Sequence, residues 1–207
     1  MKILRIEDVL RNKKISPISP PCLIAKELKI KYIIKENGRI TGPAVGLSIL
    51  VDKLTRNLPI KSMLDLCCGT GALSKIAKRN NVPKVVCVDK NIEAVKRNID
   101  NKANVIILKA DVLKFEINQF FDLIVLDAPK ELLPKLFKRF EYFVSNSNIF
   151  VIWHGSCEEV EWNEKVRERL RSISRVVYSF SIYGEEISAS SSTEKGISWL
   201  RKFYTKW

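Results

Sequence analysis

The sequence is poor in the residues that build metal centres and disulfide frameworks. It contains one histidine, His154, and five cysteines that follow no framework spacing and include no CxxC pair. A structural zinc site needs four converging nitrogen or sulfur ligands, so we expect the protein to bind no metal. An odd number of unframed cysteines is typical of free thiols in a reducing compartment, which predicts a cytoplasmic protein.

Long apolar runs are missing as well. No stretch approaches the roughly 20 apolar residues that a membrane-spanning helix needs, and the first residues, MKILRIEDVLRNKK, are charged throughout. A secretory signal would place an uncharged apolar segment there. We therefore expect a soluble protein with no membrane partner. With 207 residues, 46% of them hydrophobic, the chain is large enough for one main domain with its own core.

Acidic residues are too few to balance the basic ones. The chain holds 23 Asp and Glu against 36 Lys and Arg, for a net charge of +13, and residues 1–62 alone hold 13 basic residues against 5 acidic ones. A basic surface favours a polyanionic partner, most commonly nucleic acid. General solubility, or the lysine-rich composition of some thermophile proteins, is the alternative. The uneven distribution favours nucleic acid.

The basic excess marks residues 1–42 as a small N-terminal segment ahead of a main domain at 43–207. Three prolines within the stretch 16–21 stop regular structure there. The residues before it, 4–13, predict a short helix. The residues after it, 27–42, predict a β-hairpin.

The predicted hairpin carries the candidates for substrate binding. Its Asn37-Gly38 pair suits a tight turn between two strand-like runs. Basic side chains on it are placed to follow a phosphate backbone, and they are Lys29, Lys31, Lys35 and Arg39. The alternative is a solvated edge strand whose lysines block aggregation.

Strand-like and helical stretches alternate through the main domain. The strand-like runs are nearly continuous in apolar residues, and they read SMLDLC, KVVCVD, NVIILKA, FDLIVLD and NIFVIWHG. Such runs are typical of parallel strands covered by helices on both faces. Two further runs, SRVVYSFSIY and ISWLRKFYTKW, predict a terminal antiparallel hairpin joined by a polar loop at 184–196. The predicted fold is α/β, a doubly wound and mostly parallel seven-stranded sheet.

A glycine loop follows the first of these strands, in the stretch MLDLCCGTGALSKIA. Gly69 and Gly71 lack Cβ, so a ligand can lie against the backbone there. The helix that follows offers unpaired N–H groups at its beginning. A dinucleotide fingerprint would place a third glycine near position 74, where this chain has Ser74.

Acidic residues follow the next three strands. Asp89 stands where a carboxylate can accept both hydroxyls of a ribose, although capping of the next helix is the alternative. Asp111 stands where an adenine amino group can be bound, and Asp127 ends the fourth strand. Open α/β sheets bind ligands beyond the carboxyl ends of their strands, so these three acids and the glycine loop predict one site.

With this pattern the chain resembles the class I S-adenosylmethionine-dependent methyltransferases. LDLCCGTGAL is similar to their first motif, VDKN to their ribose-binding segment, ADV to their adenine-contacting segment and FDLIVLDAP to the motif beside the transferred methyl. The resemblance covers residues 43–207 and implies S-adenosyl-L-methionine as cofactor. It implies cofactor contacts from Asp65, Cys67, Cys68, Gly69, Thr70, Gly71, Asp89, Lys90, Asn91, Asp111, Val112 and Asp127. A nucleotide-dependent oxidoreductase and a non-catalytic relative are the alternatives.

The stretch Asp127-Ala128-Pro129-Lys130 carries the candidates for catalysis. Base-amine methylases have Asn/Asp-Pro-Pro-aromatic here, which this chain lacks, and the acidic Gly-Asp-Gly-Gly loop of spermidine synthases is also absent. RNA 5-methylcytosine methyltransferases have Asp-Ala-Pro-Cys, followed by a nucleophilic cysteine after the fifth strand, where this chain has Cys157. Lys130 departs from that pattern. We expect Asp127 to orient the nucleophile or balance charge, with Pro129 and Lys130 beside it, the alternative being a cap on the next helix. Cys157 is the candidate nucleophile, the alternative being a partly buried free thiol.

These observations lead to one functional hypothesis and two rivals. The hypothesis is a methyltransferase that uses S-adenosylmethionine to modify RNA, either tRNA or rRNA. The rivals are an enzyme of the same fold for a protein or small molecule, and a relative that holds cofactor or RNA without turnover. Aromatic residues near the end of the chain either stack on bases or pack in the core, and they are Trp199, Phe203, Tyr204 and Trp207.

Overall fold

A seven-stranded sheet forms the centre of the molecule. The structure, a computed structural model, describes residues 2–5, 27–36, 39–41, 44–99 and 104–207. The strands of the central sheet are β4 Ser62–Leu66, β5 Lys84–Asp89, β6 Val105–Lys109, β7 Phe121–Leu126, β8 Ser147–Ser156, β9 Val176–Ile182 and β10 Glu185–Ser191. Their order is β6-β5-β4-β7-β8-β10-β9, and β10 is antiparallel to both neighbours. The predicted α/β fold is confirmed.

Helices cover both faces of this sheet. They are α1 Val45–Asn57, α2 Ala72–Arg79, α3 Glu93–Asn98, α4 Leu133–Leu136, α5 Phe140–Ser145, α6 Val160–Ile173 and α7 Glu194–Tyr204. Apolar side chains of α1, α2, α3 and α7 share one core with the sheet, and those of α4, α5 and α6 share the core on the opposite face. The strands at the centre are therefore buried on both faces, as their continuous apolar runs predict.

The sequence prediction is wrong about the second strand of the terminal hairpin. The run 197–207 was expected to be that strand, but Glu194–Tyr204 is the helix α7. The strand is β10, which lies within the polar stretch predicted as a loop at 184–196. Serines give β10 the composition of a loop, yet Ser188 and Ser190 are fully buried between β8 and β9. Small side chains fit this interior position, and Ser188 Oγ lies 3.1 Å from Ser179 Oγ, whereas Ser190 Oγ is buried without a hydrogen-bond partner among the described residues.

A cap on α7 explains why the chain leaves the sheet there. The Thr193 hydroxyl accepts a hydrogen bond from the Gly196 N–H at 3.0 Å, which starts the helix. A Cβ on Gly196 would lie 1.8 Å from the Asn148 carbonyl oxygen, so only glycine allows the first turn to approach β8 so closely.

A second, three-stranded sheet lies in the N-terminal segment. Its strands are β1 Lys2–Arg5, β2 Tyr32–Glu36 and β3 Arg39–Thr41, paired antiparallel in the order β1-β2-β3. The helix predicted over 4–13 is wrong for its first two residues, which belong to β1, and its remainder lies outside the described residues. Asn37-Gly38 and Cys22 also lie outside them.

Candidate active site

The acids of the sequence prediction meet at one edge of the sheet. Asp65 and Asp89 lie at the carboxyl ends of the neighbouring strands β4 and β5, and Asp127 follows β7, which pairs with β4 on its other side. Asp111 stands two residues beyond the end of β6. Because these strands are parallel and adjacent, their carboxyl ends open onto the same crevice.

The glycine loop at this edge is held by backbone bonds. Cys67, Gly69 and Gly71 all have positive φ, at 60°, 49° and 77°. The Cys68 N–H donates to the Val88 carbonyl oxygen at 3.1 Å, and the Gly71 N–H donates to the Cys68 carbonyl oxygen at 2.7 Å. A Cβ on Gly71 would lie 2.6 Å from Val95 Cγ2, so the loop also needs glycine there for its packing on α3.

Asp65 carries a buried carboxyl oxygen with no partner. Its Oδ2 accepts two bonds from Ser74, from the N–H at 3.1 Å and from the hydroxyl at 2.6 Å. Its Oδ1 is buried without a hydrogen-bond partner among the described residues. Burial raises the pKa of Asp65 to about 7. An unpartnered carboxylate oxygen beside a bare loop fits the ammonium group of an amino acid, because that cation supplies the missing donors.

The other predicted cofactor contacts lie around the same loop. Asp89 Oδ2 accepts the Gly69 N–H at 2.9 Å, and its Oδ1 accepts the Asn91 N–H at 2.8 Å. Asn91 in turn accepts the Glu93 N–H at 3.0 Å at the beginning of α3. Each Asp89 oxygen keeps lone-pair capacity for a ribose hydroxyl.

Asp111 is held in place by its neighbours. Lys90 Nζ lies 2.9 Å from Asp111 Oδ2, and this bond is the main cause of the lowered pKa of Asp111. The Leu113 N–H donates to Asp111 Oδ1 at 3.0 Å, and the intervening Val112 is buried. The segment therefore offers a fixed carboxylate beside a buried aliphatic residue.

The two cysteines of the loop are kept as thiols. The pKa of Cys67 is raised, mainly by burial and further by Asp89 and Asp127. The pKa of Cys68 is raised by its hydrogen bond with Cys87 and by burial, and its side chain packs in the core. The Cys68 amide is also occupied, by Val88. Both cysteines therefore support the loop rather than supply a thiolate.

Asp127 lies beside the beginning of α1. The sequence did not predict this contact between the two. Asp127 accepts a hydrogen bond from the Ala44 N–H, while burial and the Asp65 charge raise its pKa to about 7. The next three N–H groups of the helix donate to Glu185, which was not predicted as a site residue. The signal for such a partner is the absence of Ser, Thr, Asp or Asn at the start of α1.

The candidates for catalysis beyond Asp127 lie on adjacent loops. Pro129 and Lys130 are exposed, and Lys130 Nζ forms an ion pair with Glu159 of the loop after β8. Cys157 of that loop has its thiol 3.8 Å from Glu186 Oε2. A carboxylate neighbour does not stabilise a thiolate, so this contact gives no support to a nucleophilic Cys157.

Two of the four predicted substrate-binding residues have side chains that the structure describes. Lys29 and Lys31 are exposed, whereas Lys35 and Arg39 lie on β2 and β3 with side chains outside the described part. The Lys31 N–H donates to Asn98 Oδ1 at 2.9 Å, and Asn98 Nδ2 donates to the Thr70 carbonyl oxygen at 2.9 Å. Asn98, which the sequence analysis did not single out, thus joins the N-terminal segment to the glycine loop.

Metal clusters and membrane-spanning helices are absent from the described residues. Within them no group of three or more His, Cys, Asp or Glu side chains is arranged to hold a metal ion. Within the same residues no helix has the length and apolar character to cross a bilayer.

A sheet of this order, with a glycine loop after its first strand and acids after the next three, defines the class I methyltransferase fold. Residues 43–140 match the family described as the methyltransferase small domain. The chain has the fold of the class I S-adenosylmethionine-dependent methyltransferases, and the part that matches this family spans 98 of its 207 residues. No curated protein sequence matches it at a significant level.

Solved structures with this fold differ in what they act on. The ribosomal protein L11 methylase of Lactobacillus delbrueckii subsp. bulgaricus is 19% identical, with 77% of this chain and 84% of that one covered and a TM-score of 0.59. A spermidine synthase solved with the transition-state analogue AdoDATO is 18% identical, with 84% and 72% covered and a TM-score of 0.60. The tRNA (uracil-54, C5)-methyltransferase of Pyrococcus abyssi, solved with S-adenosyl-L-homocysteine, is 21% identical, with 70% and 37% covered and a TM-score of 0.52. At these identities the likeness shows the fold and leaves the substrate open.

Proposed function

We propose that this methyltransferase modifies RNA, either tRNA or rRNA, in the cytoplasm. The observation that carries the proposal is the attachment of the basic N-terminal segment to the glycine loop through Asn98. A polyanion bound by Lys29 and Lys31 would lie on the segment that contacts the cofactor loop. The Pyrococcus abyssi tRNA enzyme shows that the fold accommodates such a substrate. Four described cysteines are free thiols, which supports a reducing compartment.

The roles of the site residues follow from the chemistry of the cofactor. S-adenosylmethionine supplies a methyl group on a positively charged sulfur, and its amino-acid part carries an ammonium group. Asp65 Oδ1 would accept from that ammonium, Asp89 would hold the ribose hydroxyls, and Asp111 with Val112 would contact the adenine. The bare backbone at Gly69 and Gly71 leaves room for the amino-acid part.

Asp127 is the group that we propose to act on the nucleophile. Its pKa of about 7 lets the carboxylate accept a proton, or a hydrogen bond, from the nucleophile near neutral pH. The negative charges of Asp127 and Asp65 would favour binding of the cationic donor, whereas they would not by themselves speed a transfer in which that positive charge is lost. Methyl transfer needs positioning more than covalent help, so a fixed carboxylate at this place is sufficient.

The test is transfer of tritium from labelled S-adenosylmethionine into fractionated tRNA, rRNA, protein and small molecules. We expect the label in one RNA fraction, and we expect Asp89→Ala to weaken cofactor binding in calorimetry. Label found only in protein or small molecules would refute the RNA assignment. Absence of cofactor binding by the unaltered protein would refute the cofactor contacts.

The basic segment has its own test with a matched control. The double variant Lys29→Ala/Lys31→Ala should weaken RNA binding and lower the slope of log affinity against log salt by about 1.5, since each phosphate contact contributes about 0.7 to 0.9. Lys135→Ala/Lys138→Ala removes the same charge from exposed lysines beside the opposite face of the sheet. Equal losses in the two double variants would contradict a specific role for the segment.

A further inference from the structure

A second basic surface lies between α1 and the end of the chain. We call it the α1–α7 pocket, and its polar and aromatic lining is Lys53, Asn57, Lys202, Lys206 and Trp207. Leu58 and Phe203 close its floor and are buried. The proposed contacts with cofactor and substrate use none of these residues.

The charge of the α1–α7 pocket is positive and uncompensated. Lys53, Lys202 and Lys206 are exposed, and no side chain lining the pocket is acidic. None of the three lysines forms an ion pair with a carboxylate side chain anywhere in the described ranges. Three ammonium groups around one concavity fit an anionic group, and they disfavour a cationic ligand.

Trp207 gives the pocket a fixed aromatic surface. Its ring contacts those of Phe180 and Phe203 at centroid distances of 5.2 and 5.4 Å, and these contacts restrict its orientation. Lys53 Nζ lies 4.0 Å from the ring centroid. Of the Trp207 surface, 42% remains exposed. Unpaired bases stack on exposed aromatic rings next to lysines, and a base that stacks on the Trp207 face now covered by Lys53 would displace that ammonium toward a flanking phosphate.

The size of the pocket indicates a segment of a larger ligand. Its volume of about 170 Å³ is below the range of roughly 300 to 1,000 Å³ that is typical of sites for whole small molecules. One base or one phosphate fits such a space, whereas a free nucleotide cofactor does not.

The pocket lies within reach of a ligand that also enters the active site. Helix α1 begins beside Asp127 and reaches the pocket at Asn57. At 1.5 Å per residue, its 13 residues separate the two places by about 18 Å. A duplex strand advances about 3.4 Å along its axis per nucleotide, so the distance corresponds to roughly five stacked nucleotides.

We propose that the α1–α7 pocket binds an unpaired segment of the RNA substrate, with one base on Trp207 and three successive phosphates around that base on Lys53, Lys202 and Lys206. This proposal rests on the proposed function, because it takes the polyanion to be the RNA that is methylated. It makes the pocket a second anchor, separate from the N-terminal segment.

The test uses a fluorescein-labelled single-stranded RNA of twelve mixed nucleotides. Lys53→Ala/Lys202→Ala/Lys206→Ala should raise its Kd at least tenfold and lower the salt slope by about 2, for three phosphate contacts on a single strand. The matched control is Lys135→Ala/Lys138→Ala/Lys165→Ala, which removes the same charge from exposed positions and should change Kd less than twofold. Equal weakening by the two triple variants would overturn the proposal, since the binding would then follow net charge alone.

Two further measurements separate stacking and function from charge. Trp207→Ala should raise Kd about fivefold or more while Trp207→Phe retains most of the affinity, since a flat ring is what the base needs. Unchanged binding by Trp207→Ala, in protein that melts like the unaltered chain, would overturn the stacking assignment. With the RNA that is methylated, the pocket triple should raise KM at least tenfold. An unchanged KM overturns the pocket alone, whereas no label in any RNA overturns the proposed function and this proposal with it.

Discussion

At Cys67 the loop after β4 carries a side chain in a conformation that favours glycine. Its φ of 60° lies in the left-handed region, where a residue with Cβ loses about 1 kcal/mol relative to its preferred conformation. Neighbouring bonds fix this conformation, since the following Cys68 and Gly71 amides are both engaged. Conformations of this kind persist where the surroundings impose them, and they cluster at binding loops.

Two glycines with nearly equal φ allow the energetic cost of a backbone conformation to be compared with the cost of a steric contact. Gly71 and Gly184 have φ of 77° and 75°, but a Cβ on Gly71 would lie 2.6 Å from Val95 Cγ2, and one on Gly184 would meet nothing within 4 Å. We expect Gly184→Ala to lower the free energy of unfolding by about 1 kcal/mol and Gly71→Ala by about 2 to 4 kcal/mol. Urea unfolding of both variants measures the difference, and equal losses would contradict the contact with α3.

At the scale of elements, two carboxylates hold the beginning of α1. Asp127 bonds Ala44, and Glu185 bonds the N–H groups of Val45 and Gly46 at 2.8 and 2.9 Å. A Cβ on Gly46 would lie 2.6 Å from the Ile182 carbonyl oxygen, so the β9–β10 hairpin approaches the helix directly. The β9–β10 hairpin thus positions α1, the helix that borders the candidate active site.

Removal of the Glu185 carboxylate should therefore destabilise the protein as the loss of a helix cap does. We expect Glu185→Ala to lower the free energy of unfolding by about 1 to 3 kcal/mol, because several N–H groups and the helix dipole lose their partner. Glu194→Ala is the control, since Glu194 is in the first turn of α7 but its side chain is 80% exposed. Chemical denaturation should show a change below about 0.5 kcal/mol for the control. A similar value for Glu185→Ala would contradict the cap.

The parallel half of the sheet could be predicted from the sequence, because apolar runs of five or six residues have one stable place in this architecture. The positions of the acids at the strand ends could be predicted from the same strands, since a strand fixes where its last residue lies. β10 could not be predicted, because its serines are buried only in the presence of β8 and β9. Glu185 and Asn98 were missed for the same reason. Their partners are about 140 and 67 residues distant in sequence, and local patterns carry no signal for such contacts.

At the scale of the whole molecule, the site holds more buried negative charge than its surroundings neutralise. Burial raises the pKa of Asp65 and of Asp127 to about 7, with a further contribution from Asp89 at Asp65 and from Asp65 and Glu185 at Asp127. His154 adds no positive charge to offset these acids. Burial lowers its pKa to about 3, so its ring is neutral in the folded protein at neutral pH. The charged forms of Asp65 and Asp127 are therefore disfavoured at neutral pH, and a cation bound beside them would stabilise them.

The difference in stability between Asp65→Asn and the unaltered chain isolates this effect. The unfolded Asp65 titrates near 4 and the folded one near 7, so the native state binds the extra proton between these values and loses stability as pH rises through them. The stability of Asp65→Asn relative to the unaltered chain should rise between pH 4 and 8, by at most about 4 kcal/mol. Denaturant titrations across this range measure it.

Asp111→Asn is the control for that titration. The pKa of Asp111 is lowered, chiefly by Lys90, so its folded and unfolded values both lie below the range from pH 5 to 8. The relative stability of this variant should be flat there. A flat curve for Asp65→Asn as well would show that the Asp65 carboxyl is not strained in the folded protein.

The position of β10 has a consequence for the order in which the molecule is made. β10 is synthesised after β9, yet it lies between β8 and β9 in the sheet. β9 therefore leaves the ribosome without a strand to pair with, and β8 keeps an open edge until residues 185–191 have been added. An open edge is a template for pairing with other chains, so the nascent protein is most prone to aggregate during this interval.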